Sequence, residues 1–128
     1  MAIEITIGPM QKTRAVDFDG TLAKYDGFLG PLVLGEPVPA MVKQVKAWLA
    51  AGDEVVIFTA RVNCDDNPDL KLQVTMLLQQ WCEKNLGRAL AITDRKHRRF
   101  AEIYDDRAVR VETNTGKFTE PKADDPKA

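Results

Sequence analysis

Two aspartates one residue apart close a short apolar run, Ala15-Val16-Asp17-Phe18-Asp19-Gly20-Thr21-Leu22. No other stretch narrows the fold as much. Successive side chains of a β-strand alternate between its faces, so Asp17 and Asp19 start on one side while Phe18 points into the core. Gly20 lets the backbone leave the strand through a conformation that most residues avoid. Acids at the C-terminal end of a strand stand where open α/β sheets bind their ligands. Two such charges about 4 Å apart repel by roughly 4 kcal/mol at an effective dielectric of about 20. Either one carboxyl keeps its proton or a cation lies between them. The alternative is a strand-to-turn junction with two solvated acids, since Asp and Gly both favour turns.

Around this stretch the periodicity alternates between that of strands and that of helices. Ile3, Ile5 and Ile7 alternate with polar residues and read as a short strand ended by Gly8-Pro9. Residues 14–19 form the strand that carries the acids. Residues 23–39 are rich in Gly and Pro and interleave Tyr25, Phe28, Leu29, Leu32 and Leu34, a loop or small hairpin long enough to act as a flap. Val38, Met41, Val42, Val45, Trp48 and Leu49 recur at helical spacing, with Pro39 in the first turn and Gly52 as the stop. The run 54–59 is continuously apolar after Glu54, as in a strand buried on both faces, and ends at Thr59. Residues 62–66 are a polar loop. Asn67-Pro68 opens a second helix with Leu70, Val74, Leu77, Leu78 and Trp81 on its apolar face and Gly87 as its stop.

A third buried strand covers 90–93, and the basic cluster 95–99 follows it. A fourth strand, 102–105, ends in the acid pair Asp105-Asp106, and 109–112 alternates like an edge strand. Strand, helix, strand, helix, strand, strand predicts an α/β fold: a Rossmann-like, three-layer arrangement around a mainly parallel sheet. One domain over 1–113 accounts for the apolar content. The tail 114–128 has little of it, and 121–128 is expected to be disordered. At 128 residues the chain is long enough for one core.

Composition excludes more than it assigns. A net charge of −1 favours neither nucleic acid nor a membrane surface, and no apolar run is long enough to span a bilayer. Cys64 and Cys82 lie far apart with no CxxC and a single histidine, His97, so they predict reduced thiols in a cytoplasmic protein.

Four polar features fall at predicted strand ends: Asp17 with Asp19, Thr59, Lys96, and Asp105 with Asp106. In a parallel sheet those ends share one edge. Clustered carboxylates suit Mg²⁺, a lysine and a hydroxyl can hold a phosphoryl group, and a remaining carboxylate can attack phosphorus.

This order resembles the haloacid dehalogenase-like superfamily, whose commonest members are Mg²⁺-dependent phosphatases. Asp17-Phe18-Asp19-Gly20-Thr21 resembles its first motif, Thr59 after Val55-Val56-Ile57-Phe58 the second, Lys96 the third, and Asp105-Asp106 after Ile103-Tyr104 the fourth. The resemblance implies a phosphomonoester hydrolase in which Asp17 is the nucleophile and forms an aspartyl phosphate. Asp19 would protonate the leaving oxygen and then activate water. It further implies Mg²⁺ held by Asp17, by the backbone carbonyl of Asp19, and by Asp105 or Asp106. Thr59 would bind phosphate oxygens, and Lys96 would neutralise charge. The gaps 22–37 and 60–95 leave no room for the family's cap domain. A capless site points to a macromolecular substrate or to cover from a second copy in a homo-oligomer.

Two rivals belong to other classes. Response-regulator receiver domains are similar in size, fold class and site chemistry, but their acid pair comes first and their lysine lies on the last strand. A catalytically idle fold used for binding is the other. The basic cluster 95–99 beside the site also allows a nucleotide or a nucleic-acid end as substrate, which the net charge does not favour.

Overall fold

A computed structural model describes residues 11–119. The expected strand around Ile3, Ile5 and Ile7 and the expected disorder of 121–128 lie outside the described residues.

Four strands, β1 (Thr13–Val16), β2 (Glu54–Phe58), β3 (Ala91–Thr93) and β4 (Phe100–Tyr104), form one sheet in the order β3-β2-β1-β4. Every pairing is parallel. The fold is therefore α/β, as the alternation of periods predicts, and of a small Rossmann-like kind. Helix α1 (Pro39–Ala50) links β1 to β2, and helix α2 (Pro68–Leu86) links β2 to β3.

The helix limits follow from local chemistry. Pro39 and Pro68 occupy first-turn positions where no backbone N–H is needed. The Asn67 side chain accepts a hydrogen bond from the Leu70 N–H at 3.2 Å, capping α2. Gly87 ends α2 at φ +88°, the left-handed conformation that glycine adopts without cost to a Cβ.

One apolar cluster joins Val45 and Leu49 of α1, Val74, Leu78 and Cys82 of α2, and Val16, Val55 and Ile57 of the sheet. Alternation assigns these strand residues to a single face, so both helices pack on that face. The guanidinium of Arg14 extends the same face. It stacks 4.6 Å from the Trp48 ring centroid and pairs with Asp53 at 3.1 Å and with Glu102. On the opposite face Phe58 meets Phe100, ring centroids 5.9 Å apart. No described helix covers that side, so the third layer expected from the sequence is not present among the described residues. Its reason is the connection from β3 to β4. It passes from one edge of the sheet to the other in residues 94–99, half the dozen or more residues of a usual crossover.

The expected edge strand at 109–112 is reduced to an isolated antiparallel bridge between Val111 and Phe118. Residues 112–117 turn back on themselves, Glu112 N–H donating to Lys117 O at 2.7 Å, and they stay exposed. Among the described residues no helix is long and apolar enough to cross a membrane.

Candidate active site

β1 is shorter than its apolar run suggests. It ends at Val16, and the two aspartates belong to the turn beyond it. Asp17 still lies in register, its N–H donating to Tyr104 O at 2.8 Å. The chain then coils tightly: the N–H groups of Thr21, Leu22 and Ala23 all point to Phe18 O. Phe18 is fully buried, edge-on to Trp81 at 4.9 Å, and anchors this turn in the core. Leaving the strand separates the two carboxylates, which a continued strand would have kept on one side.

Asp17 turns toward the end of β4. One carboxylate oxygen from each of Asp17, Asp105 and Asp106 lies within 4.8 Å of the others. Thr21 holds this group together. Its hydroxyl accepts from the Asp106 N–H at 3.1 Å and has one proton to share between Asp17 Oδ2 and Asp106 Oδ1, each 3.4 Å away. Asp105 Oδ1 accepts from the Arg107 N–H at 2.8 Å. Gly20, at φ +82°, is required here on two counts. Any other residue would be strained, and an added Cβ would come within 2.5 Å of Asp106 Oδ2.

Burial, then the negative charge of Asp105, then a hydrogen bond shared with Asp106 push the Asp17 pKa up to about 7. A nucleophilic or metal-binding carboxylate has to be ionised, so the group is frustrated unless a cation joins it. Hard oxygen donors without imidazole or thiolate fit Mg²⁺.

Asp19 turns the other way. Its Oδ2 accepts from Arg61 Nε at 2.7 Å and its Oδ1 from Arg61 Nη2 at 2.9 Å, a two-point clamp by a guanidinium that is only 6% exposed. The Asp19 side chain therefore stands outside the acid triad, and the metal role the resemblance gives this residue is one of its carbonyl, not its carboxylate. Arg61 lines the cavity and is absent from the residues the sequence singles out. The available signal was a cation two residues after Thr59, at the end of the most buried strand. It sits in a short 3₁₀ turn, Ala60–Val62, that Thr59 caps by accepting from the Arg61 N–H at 3.2 Å.

Arg61 also reaches the flap. Its Nη1 donates to Pro31 O at 3.2 Å and to Gly30 O at 3.4 Å, and its guanidinium lies 5.8 Å from the Phe28 ring centroid. The flap base is an antiparallel pairing, Lys24 N–H to Glu36 O and Val38 N–H to Leu22 O, both 2.8 Å. Trp81 Nε1 holds that base by donating to Gly35 O at 3.0 Å. The tip stays out of the core: Phe28 is 62% exposed and Leu29 80%.

Asp17, Asp19, Thr59, Asp105 and Asp106 all line one cavity of about 570 Å³, together with Arg61, Arg107 and Asp94. Thr59 is its one buried polar residue among those described, and its N–H donates to Thr93 O at 2.9 Å. Lys96 lines a different depression, on the far side of the wall that Asp105 and Asp106 form. Its side chain is exposed, in the stretch that crosses the sheet.

No protein-family model and no curated protein matches the chain. Among solved structures it is similar to that of a conserved protein coded by a locus from Bacteroides thetaiotaomicron, at 21% identity and a TM-score of 0.54, over 78% of this chain and 79% of that one. At this identity the likeness shows the fold alone.

Proposed function

We propose that the chain is a Mg²⁺-dependent phosphomonoester hydrolase of the haloacid dehalogenase-like kind that its four motifs resemble. The observation that carries this reading is the convergence of Asp17, Asp105 and Asp106 within 4.8 Å, in one cavity with Thr59 and Asp19. Residues nearly ninety positions apart meet there, at the strand ends where such sheets bind ligands.

In this mechanism a carboxylate oxygen of Asp17 bonds to phosphorus as the bond from phosphorus to the leaving oxygen breaks. Asp19 gives that oxygen a proton, and to do so it must release one of its two hydrogen bonds from Arg61. Water then attacks phosphorus, Asp19 takes the proton, and inorganic phosphate leaves Asp17 as it was. Thr59 holds phosphoryl oxygens through its hydroxyl. Arg61 and Arg107 line the cavity and take over the compensation of phosphoryl charge that the resemblance gives to Lys96, which lies outside it. Mg²⁺, held by Asp17, Asp105 and Asp106, would offset the repulsion among the carboxylates and the charge on the phosphoryl group.

Asp17→Asn tests the reading. With Mg²⁺ the wild type should hydrolyse a generic aryl phosphate and the variant should not, while its melting temperature stays the same or rises. Beryllofluoride should bind the wild type and not the variant. Binding that survives Asp17→Asn and is lost in Asp105→Asn or Asp106→Asn would move the phosphoacceptor to β4 and favour the receiver reading.

A further inference from the structure

The acid triad occupies only one end of the cavity. Beside its polar residues the wall has an apolar part that comes from three separate elements: Tyr25, Phe28 and Pro31 of the flap, Phe58 at the end of β2, and Leu70 at the start of α2. Three of these five are aromatic in a chain in which aromatics make up 7% of residues. At about 570 Å³ the cavity lies in the range of small-molecule sites and encloses far less than a folded partner or a duplex would need.

Two observations set the direction in which a substrate runs through it. Asp17 fixes the phosphorus end. Asp19, held by Arg61, fixes the side on which the leaving oxygen must lie, because the proton comes from there. The same Arg61 guanidinium lies 5.8 Å from the Phe28 ring centroid, in the wall of the same cavity. The alcohol part of the substrate therefore emerges beside Phe28. An exposed aromatic ring tethered by backbone contacts of its own loop to a buried cation is a poor core residue. It is a good stacking surface, since the guanidinium lies over the ring and Phe28 as a whole is 62% exposed. Asn63, also in the wall, offers both a donor and an acceptor to the edge of a ring.

We propose that the substrate is a small phosphomonoester whose alcohol carries a flat ring, with Phe28 and Tyr25 as the specificity-determining wall. This rests on the phosphatase reading. It departs from what a capless site implies, because the flap together with β2 and α2 lines a cavity of small-molecule size beside the acids.

Benzyl phosphate and cyclohexylmethyl phosphate are the test pair. Their leaving alcohols are alike in size and similarly weak as leaving groups, and only one is planar. The wild type should favour the benzyl ester in kcat/KM by about three- to tenfold, the value of an aromatic pair beyond its buried area. Phe28→Ala should erase the preference. Leu29→Ala, altering a flap neighbour that is absent from the cavity wall, should keep it. Equal kcat/KM for both esters in the wild type, or a preference that survives Phe28→Ala, would overturn the proposal. Should neither ester nor the aryl phosphate be hydrolysed, the phosphatase reading fails, and the ring site is judged separately by titrating the Asp17→Asn protein with each ester in the presence of Mg²⁺. Tighter binding of the benzyl ester that depends on Phe28 sustains it, and equal affinities refute it.

Discussion

Without the guanidinium of Arg61, Asp19 loses both partners of its carboxylate at once, and the flap loses the donor to Gly30 O and Pro31 O. Asp19 would then swing freely at the cavity wall, and misplacing a proton donor by about 1 Å costs on the order of 10²-fold in rate. Arg61→Ala should lower kcat by roughly that factor while Mg²⁺ binding to Asp17, Asp105 and Asp106 is retained. Arg61→Lys should recover only part of the loss, because a single ammonium cannot reproduce the two-point clamp. Steady-state kinetics beside a Mg²⁺ titration separate these outcomes. An unchanged kcat would mean that Asp19 is positioned by the backbone turn alone. The acids were legible because Asp17-Phe18-Asp19 and Asp105-Asp106 each follow an apolar strand run, at the edge that the strands of a parallel sheet share. Arg61 was not, because an arginine in a loop is ordinary until its partner is known. Asp19 and Arg61 are 42 positions apart, and no local pattern joins them.

The elements divide by how much local information each contains. α1, β2 and α2 lie within a residue or so of the limits read from the sequence. Their apolar repeats, prolines, Asn67 and Gly87 act over a few positions and agree with each other. The segment 109–112 has the alternation of a strand and no neighbour to pair with beyond Phe118, so it stays irregular. Lys96 depends on the path of a connection whose length, not composition, decides where it crosses the sheet. The turn after β1 is the element on which the metal group depends, because Gly20 leaves the space into which Asp106 turns. Gly20→Ala should cost about 1–2 kcal/mol from the left-handed backbone alone. It should also displace Asp106 and weaken Mg²⁺ binding by about tenfold or more, the usual effect of disturbing the support of a metal ligand. Thermal melts with and without Mg²⁺ read both effects. A variant that loses stability but keeps its full Mg²⁺-dependent shift would show that Asp106 is dispensable for the cation.

At the scale of the whole molecule, the acid cluster makes folding work against itself. Closing the sheet brings the end of β1 to the end of β4 and buries Asp17 beside two other carboxylates, which raises its pKa from the ordinary 3.8 to about 7. Below about pH 4 this group is protonated in both the folded and the unfolded chain, so its contribution to stability is fully present and does not vary with pH. As pH rises from about 4 to about 7 the unfolded chain has released the proton and the folded chain still holds it. The folded state binds more protons over that window, so stability must fall through it. The contribution of the protonated Asp17 is lost once pH passes the folded value of about 7. Held free of divalent cations with a chelator, the protein should therefore melt at progressively lower temperature between about pH 5 and pH 8, and Asp17→Asn should remove most of that slope. On the proposed reading Mg²⁺ would bind the ionised carboxylates of the folded chain, with no comparable site in the unfolded one, so it should raise the melting temperature. Because the proton and the cation compete for Asp17, that rise should be small at pH 5 and large at pH 8. A Mg²⁺ effect of equal size at both values would mean that the cation is held without displacing the proton of Asp17, and the nucleophile would have to be ionised by some other means.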